Sequence, residues 1–145
     1  MRLFLIIVLC LIGTEIHAQT LLSWADLSNG ISWDTPSPET YFPEFQEANF
    51  SYKMKGLEGE KVIITGYLLV MDVKRSVYLL SKNPMASCFF CGNGGPETVV
   101  DLQFDENPPF EMDELISVQG LLRLNPDDPN ACYYKIEKAD AVSLR

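Results

Sequence analysis

The sequence predicts a small all-β protein, a five-stranded antiparallel barrel preceded by an irregular N-terminal lead. Three observations support this prediction. Apolar and β-branched residues alternate in short runs after residue 57, turn-forming residues cluster between those runs, and no segment shows a strong helical period. The length of 145 residues suits one domain. A chain of this size can bury a core without disulfides.

Residues 1–18 have the composition of a signal peptide. Met1 and Arg2 give a short positive start, residues 3–13 are almost continuously apolar, and residues 14–18 are polar and end in Ala18. The apolar run is too short to cross a bilayer as a helix but suits a signal-peptide core. A buried N-terminal helix is the alternative. We expect cleavage after Ala18 and a product that is periplasmic or extracellular, with no transmembrane segment.

Residues 19–56 are predicted to form the N-terminal lead. Prolines within residues 36–43 exclude a long helix there, while the aromatic residues of the lead argue against disorder. We expect a short helical or turn segment near Leu21–Leu27 and then an extended chain that wraps the barrel.

Residues 57–145 are predicted to form the barrel domain, beginning with two strands. Lys61–Met71 is rich in aliphatic and β-branched residues and is interrupted by Gly66. This pattern suits a long buried strand that bends at a glycine. A charged turn at residues 72–75 separates it from a shorter second strand, Ser76–Leu80.

Three further strands complete the predicted barrel. Glu97–Phe104 and Leu115–Leu124 alternate between apolar and polar residues. Turn-forming residues at 125–130 precede the last strand, Cys132–Val142. Five strands with a long connection between the second and the third suggest the OB-fold. A small β-sandwich is the alternative.

Charge and residue content restrict the function. The formal net charge is -9, and such a chain is repelled by phosphate backbones, so we expect no nucleic-acid partner. The only histidine, His17, lies in the predicted signal peptide. The exported chain would therefore lack the imidazole that Ser-His-Asp couples, Cys-His couples and histidine zinc sites require. Thiols and carboxylates remain as candidate chemistry.

Cys88-Phe89-Phe90-Cys91-Gly92 is the most distinctive motif of the chain. Two thiolates at this spacing can bind one zinc ion or another thiophilic metal. A tetrahedral site needs more ligands, for which Cys132 and Glu97 are the candidates. A structural disulfide between Cys88 and Cys91 is an alternative in an oxidising compartment.

A redox role for Cys88 and Cys91 is a further alternative. Reactive pairs of this kind place the first thiol at a helix N-terminus, whereas here Gly-Asn-Gly-Gly-Pro follows and cannot continue a helix. Cys132 is in phase with Tyr134 and Ile136 and is also explained as a buried apolar thiol. We therefore expect a non-enzymatic binding module. The alternatives are a thiol-dependent redox protein and a structural disulfide loop on a partner-binding barrel.

Several short motifs together resemble a family of exported bacterial proteins known only as a domain of unknown function. They are Trp24-Ala25-Asp26-Leu27, Leu57-Glu58-Gly59, Gly66-Tyr67, Leu80-Ser81, Asn83-Pro84, the cysteine motif with Gly95-Pro96-Glu97, and Leu124-Asn125. The resemblance implies an OB-type barrel in the envelope of a Gram-negative bacterium. It also implies an envelope protein as a partner and metals as one candidate ligand class, without an established activity.

Overall fold

The computed structural model describes residues 19–34 and 46–145. The predicted signal peptide, its cleavage site and the prolines of the lead lie outside these residues. None of the described helices has the length and hydropathy to cross a bilayer. In chain order the elements are β1 (Thr20–Leu21), α1 (Trp24–Asn29), β2 (Ile31–Trp33), β3 (Ala48–Phe50), α2 (Tyr52–Lys55), β4 (Lys61–Asp72), β5 (Val77–Ser81), β6 (Val99–Leu102), β7 (Leu115–Leu124) and β8 (Tyr134–Ser143).

Five strands close into a barrel in the order β4–β5–β6–β8–β7–β4. The long strand β4 makes closure possible because residues 61–67 pair with β7 and residues 67–72 pair with β5. The strand changes partner beside Gly66, where an added Cβ would lie 2.6 Å from the Ser81 carbonyl oxygen. The predicted OB-like barrel is confirmed, and the β-sandwich alternative is excluded. The bend at this glycine stays a prediction.

The prediction of a purely antiparallel barrel is wrong. β6 and β8 pair in parallel, and β1 adds to β4 in parallel outside the closed barrel. The reason is connectivity: the chain passes from β6 to β7 by a long connection and returns through the β7–β8 turn. β8 therefore runs in the same direction as β6 when it lies beside it.

The predicted strand positions are confirmed, with shifts at some ends. Leu115–Leu124 forms a strand over its whole predicted length. The strand predicted at Glu97 begins at Val99, because Pro96–Thr98 forms a 3₁₀ turn. The strand predicted at Cys132 begins at Tyr134.

The described segments of the N-terminal lead pack into the barrel core. The predicted short helical segment is α1, where Ser23 and Asp26 form a capping box at the N-terminus. Antiparallel pairing joins β2 to β3. Side chains of the lead and of the inward strand faces share one buried cluster that includes Leu22, Leu27, Phe50, Met54, Val62, Ile64, Leu68, Leu80, Val100, Ile116, Val118, Leu122, Tyr134 and Ile136.

A second, smaller cluster lies on the other face of β4 and β5. Leu69, Leu79 and Cys88 are its buried members, and Met85 and Cys132 pack against them. The connection from β5 to β6, residues 82–98, therefore covers part of the outer barrel surface. We call this connection the thiol loop, because it carries Cys88 and Cys91.

Candidate functional site

The thiol loop has a defined backbone geometry. Two 3₁₀ turns, Met85–Ser87 and Phe89–Cys91, meet at Cys88. Gly92 ends the second turn in the left-handed region with φ of 82°, a conformation that glycine adopts without strain. The backbone N–H of Met85 donates to the Asp113 carboxylate at 2.7 Å. The loop is thus held to the connection that precedes β7.

The three described cysteines are all unpaired, and their environments differ. Cys88 is fully buried, Cys91 is exposed, and Cys132 is half-buried. Burial, reinforced by the negative charge of Asp101, raises the pKa of Cys132 to about 12. Cys132 is therefore a neutral thiol at physiological pH, which is the opposite of the depressed pKa that a reactive thiol needs.

The structure does not bring the predicted metal ligands together as one cluster. In the part of the chain that the structure describes, no three histidine, cysteine, aspartate or glutamate side chains are grouped so that they could hold a metal ion. A zinc site formed by Cys88, Cys91, Cys132 and Glu97 stays a prediction. The Cys88–Cys91 disulfide also stays a prediction.

A groove of about 790 Å³ lies beside the thiol loop, over the outer face of β5 and β6. Five parts of the chain contribute its walls: the lead, the end of β4, strands β5 and β6, the thiol loop and the β7–β8 connection. Its lining residues are Trp33, Gln46, Met71, Val77, Leu79, Phe89, Phe90, Gly95, Pro96, Glu97, Val99, Asp101, Pro129, Asn130, Ala131, Cys132 and Tyr133. We call this feature the loop groove.

The position of the loop groove matches the ligand face of OB-folds. Such folds bind ligands on the face of their second and third strands, between the first and the fourth inter-strand loops. Here those strands are β5 and β6, and the β7–β8 connection provides one side of the groove. The volume also lies within the range of about 300–1,000 Å³ that is usual for ligand sites.

Aromatic rings form much of the groove wall. Phe89 and Phe90 meet edge to face with ring centroids 5.5 Å apart, and Trp33 meets Tyr133 in the same manner at 6.1 Å. The Tyr133 hydroxyl donates to the Gln46 carbonyl at 2.6 Å, which joins the second described segment of the lead to the β7–β8 connection. Such a wall favours ligands with apolar or cationic groups.

Two buried polar atoms of the groove lining have no hydrogen-bond partner among the described residues: Trp33 Nε1 and Glu97 Oε2. The Trp33 N–H belongs to the ring that packs edge to face against Tyr133. Burial raises the pKa of Tyr133, and this N–H is one of the groups that oppose the rise. Glu97 Oε2 is the stronger observation, because an unpaired buried carboxylate oxygen costs about 1–3 kcal/mol or more.

Gly95 determines where the Glu97 carboxylate lies. A Cβ added at Gly95 would overlap Glu97 Oε2 and would come within 2.8 Å of Glu97 Cδ. The carboxylate is therefore folded back over a backbone position that has no side chain. From there it contributes, after burial, to raising the pKa of Tyr134.

The electrostatic character of the groove is acidic. Glu97 and Asp101 both line it, and its described lining contains no lysine or arginine. One oxygen of the Asp101 carboxylate already accepts a hydrogen bond, from the backbone N–H of Cys132 at 3.1 Å. Glu97 is the carboxylate whose buried acceptor atom, Oε2, lacks a partner among the described residues. Sequence reasoning selected Glu97 only as a metal ligand and did not identify Trp33 or Tyr133 as site residues.

Comparisons with known proteins give a structural match. No protein-family profile matches the chain, and no curated protein matches it. Among solved structures, the chain is similar to a DUF3299 family protein, PA4066 from Pseudomonas aeruginosa PAO1. The TM-score is 0.55 at 15% sequence identity, and the alignment covers 88% of this chain and 97% of that chain. The resemblance to an uncharacterised bacterial family is thus confirmed at the level of the barrel fold, and the cysteine motif lies outside what this comparison shows.

Proposed function

We propose that the chain is a non-enzymatic exported protein of the bacterial envelope that binds an extended segment of a partner protein in the loop groove. A lysine or arginine side chain of that segment would pair with Glu97. One observation carries this proposal: Glu97 Oε2 is buried in the groove wall without a hydrogen-bond partner among the described residues.

A cationic ligand group is the natural partner for this atom. A buried carboxylate is stabilised by a donor that also carries positive charge, and guanidinium and ammonium groups provide such donors. Anionic ligands are disfavoured because Asp101 adds a second carboxylate to the same lining. The net charge of -9 also attracts cationic ligands and repels anionic ligands before they reach the groove.

The other lining groups suit a peptide. The Trp33 N–H can donate to a backbone carbonyl, and the aromatic rings of Phe89, Phe90 and Tyr133 can pack against apolar side chains or against the cation itself. Peptide segments combine all three kinds of group in one chain. Export to the envelope rests on residues 1–18, and the OB-like barrel supports a binding role by its usual ligand face.

The proposal can be tested by NMR titration of the ¹⁵N-labelled chain with three blocked peptides. The peptides share a Phe-Pro-X-Phe sequence, in which X is arginine, norleucine or glutamate. We expect the arginine peptide to shift the Trp33 indole N–H signal and the backbone amides of Glu97, Val99 and Cys132. The norleucine peptide should bind more weakly, and the glutamate peptide should not bind.

Glu97→Gln provides the matched variant, because it keeps the size of the side chain and removes its charge. We expect it to weaken binding of the arginine peptide about tenfold, which corresponds to about 1.4 kcal/mol. Binding of the norleucine peptide should not change. Shifts that map to another face of the barrel would overturn the proposal. Equal binding of arginine amide alone and of the peptide would show a site for small organic cations instead of a protein segment.

A further inference from the structure

A thioether lies beside the buried thiol of the thiol loop. Met85 Sδ and Cys88 Sγ are 3.9 Å apart. One soft metal ion holds sulfur ligands at about 2.3 Å each, so two of its sulfurs can lie at most about 4.6 Å apart. The pair in this structure is within that limit.

A third sulfur is directed toward the same residue. Cys91 Sγ donates to the backbone carbonyl of Met85 at 3.1 Å. The backbone holds this arrangement, because the Cys88 carbonyl accepts the N–H groups of both Cys91 and Asn93, at 3.0 and 3.3 Å. Since Cys91 is exposed while Cys88 is buried, an ion from solvent would reach the exposed thiol first.

From these contacts we propose that the thiol loop binds one cuprous ion through Met85 Sδ, Cys88 Sγ and Cys91 Sγ. Binding forms three copper–sulfur bonds, and the two thiols release their protons to solvent. The copper stays Cu(I), so the step requires no oxidant or reductant.

The ligand set favours copper over zinc. Thiolate and thioether ligands select Cu(I), whereas zinc prefers a closed tetrahedron of cysteine, histidine or carboxylate ligands. No three ligands of that second kind are grouped within the described ranges 19–34 and 46–145. Cys132 packs against the same cluster but is not assigned as a ligand, because the described residues Cys88, Cys91 and Cys132 are not grouped closely enough to share one ion.

Anaerobic competition with the coloured cuprous complex of bicinchoninate tests this site on the purified chain. We expect the chain to remove one copper ion from the complex, and native mass spectrometry should show one added copper. Met85→Leu and Cys91→Ser should each weaken copper binding at least tenfold. Met112→Leu, at an exposed methionine, and Cys132→Ser, within the same cluster, should bind copper as the unmodified chain does.

Unchanged copper affinity in Met85→Leu, or loss of copper in Cys132→Ser, would overturn the assignment. A preference for zinc over Cu(I) in the same competition would do so too. Cys88→Ser removes a fully buried group, so its result should be accompanied by a circular dichroism melting curve. The measurement uses no peptide, so the copper site can fail this test while peptide binding in the loop groove is observed, and the reverse.

Discussion

The hydroxyl group of Tyr134 donates a hydrogen bond of 2.8 Å to the backbone carbonyl of Leu27. Both residues are buried, so the last strand of the barrel is joined directly to the last turn of helix α1. The same carbonyl also accepts the backbone N–H of Gly30, which caps the helix C-terminus, at 3.1 Å. The N-terminal lead is therefore part of the folded unit that the barrel stabilises.

Tyr134→Phe should destabilise the protein by about 1 kcal/mol, because it removes one buried hydrogen bond while the Gly30 N–H still donates to the Leu27 carbonyl. Urea unfolding followed by tryptophan fluorescence measures this change. Tyr52→Phe is the matched control, since Tyr52 is 95% exposed and its hydroxyl can bond to water. Equal stability of the two variants would contradict the role of the Tyr134 bond.

Asp26→Asn should reduce stability at neutral pH by about 1 kcal/mol, a value limited by solvent screening of the pair. The Lys53 ammonium bonded to Asp26 at 2.7 Å, together with Ser23 of the capping box, holds the Asp26 pKa well below its ordinary value of 3.8. A lowered folded-state pKa contributes stability above the ordinary value and loses it as the pH falls below that value.

The stability difference between the unmodified chain and Asp26→Asn should therefore be constant above about pH 5 and shrink below about pH 4. Urea unfolding at a series of pH values checks this. A difference that grows as the solution becomes more acidic would show that Asp26 does not act through its charge.

Gly66→Ala should destabilise the barrel by about 1–3 kcal/mol, the usual cost of overpacking. The added methyl group would meet the Ser81 carbonyl at 2.6 Å and the Trp24 ring at 2.8 Å, and neither can move freely. Gly56→Ala is the control, because its nearest neighbours are 3.4 Å away and its φ is -70°. We expect Gly56→Ala to be neutral or slightly stabilising in thermal unfolding.

Gly95→Ala should weaken binding of the arginine peptide about as much as Glu97→Gln does, while the thermal stability of the protein stays nearly unchanged. The added methyl group takes the position of the Glu97 carboxylate, and this flexible side chain can turn away at little cost. Asn93→Ala, at an exposed residue of the same loop, is the control and should leave peptide binding as it is. Unchanged peptide affinity in Gly95→Ala would show that the Glu97 carboxylate does not take part in peptide binding.

Thiol reactivity should differ among the three described cysteines, and it is best measured on residues 19–145, which do not contain Cys10. In the native chain at pH 8, Cys91 should react rapidly with a disulfide reagent such as Ellman's because it is exposed. Cys88 is buried, and Cys132 has its pKa raised to about 12 by burial and Asp101, so both should react only on unfolding. A rapid reaction that persists in Cys91→Ser would contradict this order.

The strands were predictable because alternating apolar and polar residues in the sequence indicate directly which side chains face the core. Leu115–Leu124 is the clearest case, since Ile116, Val118, Gly120 and Leu122 are buried at every second position while the residues between them are not. The parallel pairing of β6 with β8 was not predictable in this way. The direction of pairing depends on where β8, which is distant in sequence, lies relative to β6. The alternation of apolar and polar residues along a strand is the same whether the strand pairs in parallel or antiparallel.

The candidate site was predictable only in part. The cysteine motif indicated the thiol loop as the place for chemistry, and Glu97 was selected by residue type alone. The loop groove has walls from the lead, the thiol loop and the β7–β8 connection, so no local pattern marks it. Trp33 and Tyr133 come together because the lead folds back onto the barrel, and a sequence pattern does not contain that contact.

The turn Phe89–Cys91 has a thermodynamic consequence, because it belongs to two proposed sites at once. Phe89 and Phe90 line the loop groove, and Cys91 is a ligand of the proposed copper site. Occupancy of the two sites is then linked through one short segment. Any factor by which copper changes the affinity for a peptide must equal the factor by which that peptide changes the affinity for copper.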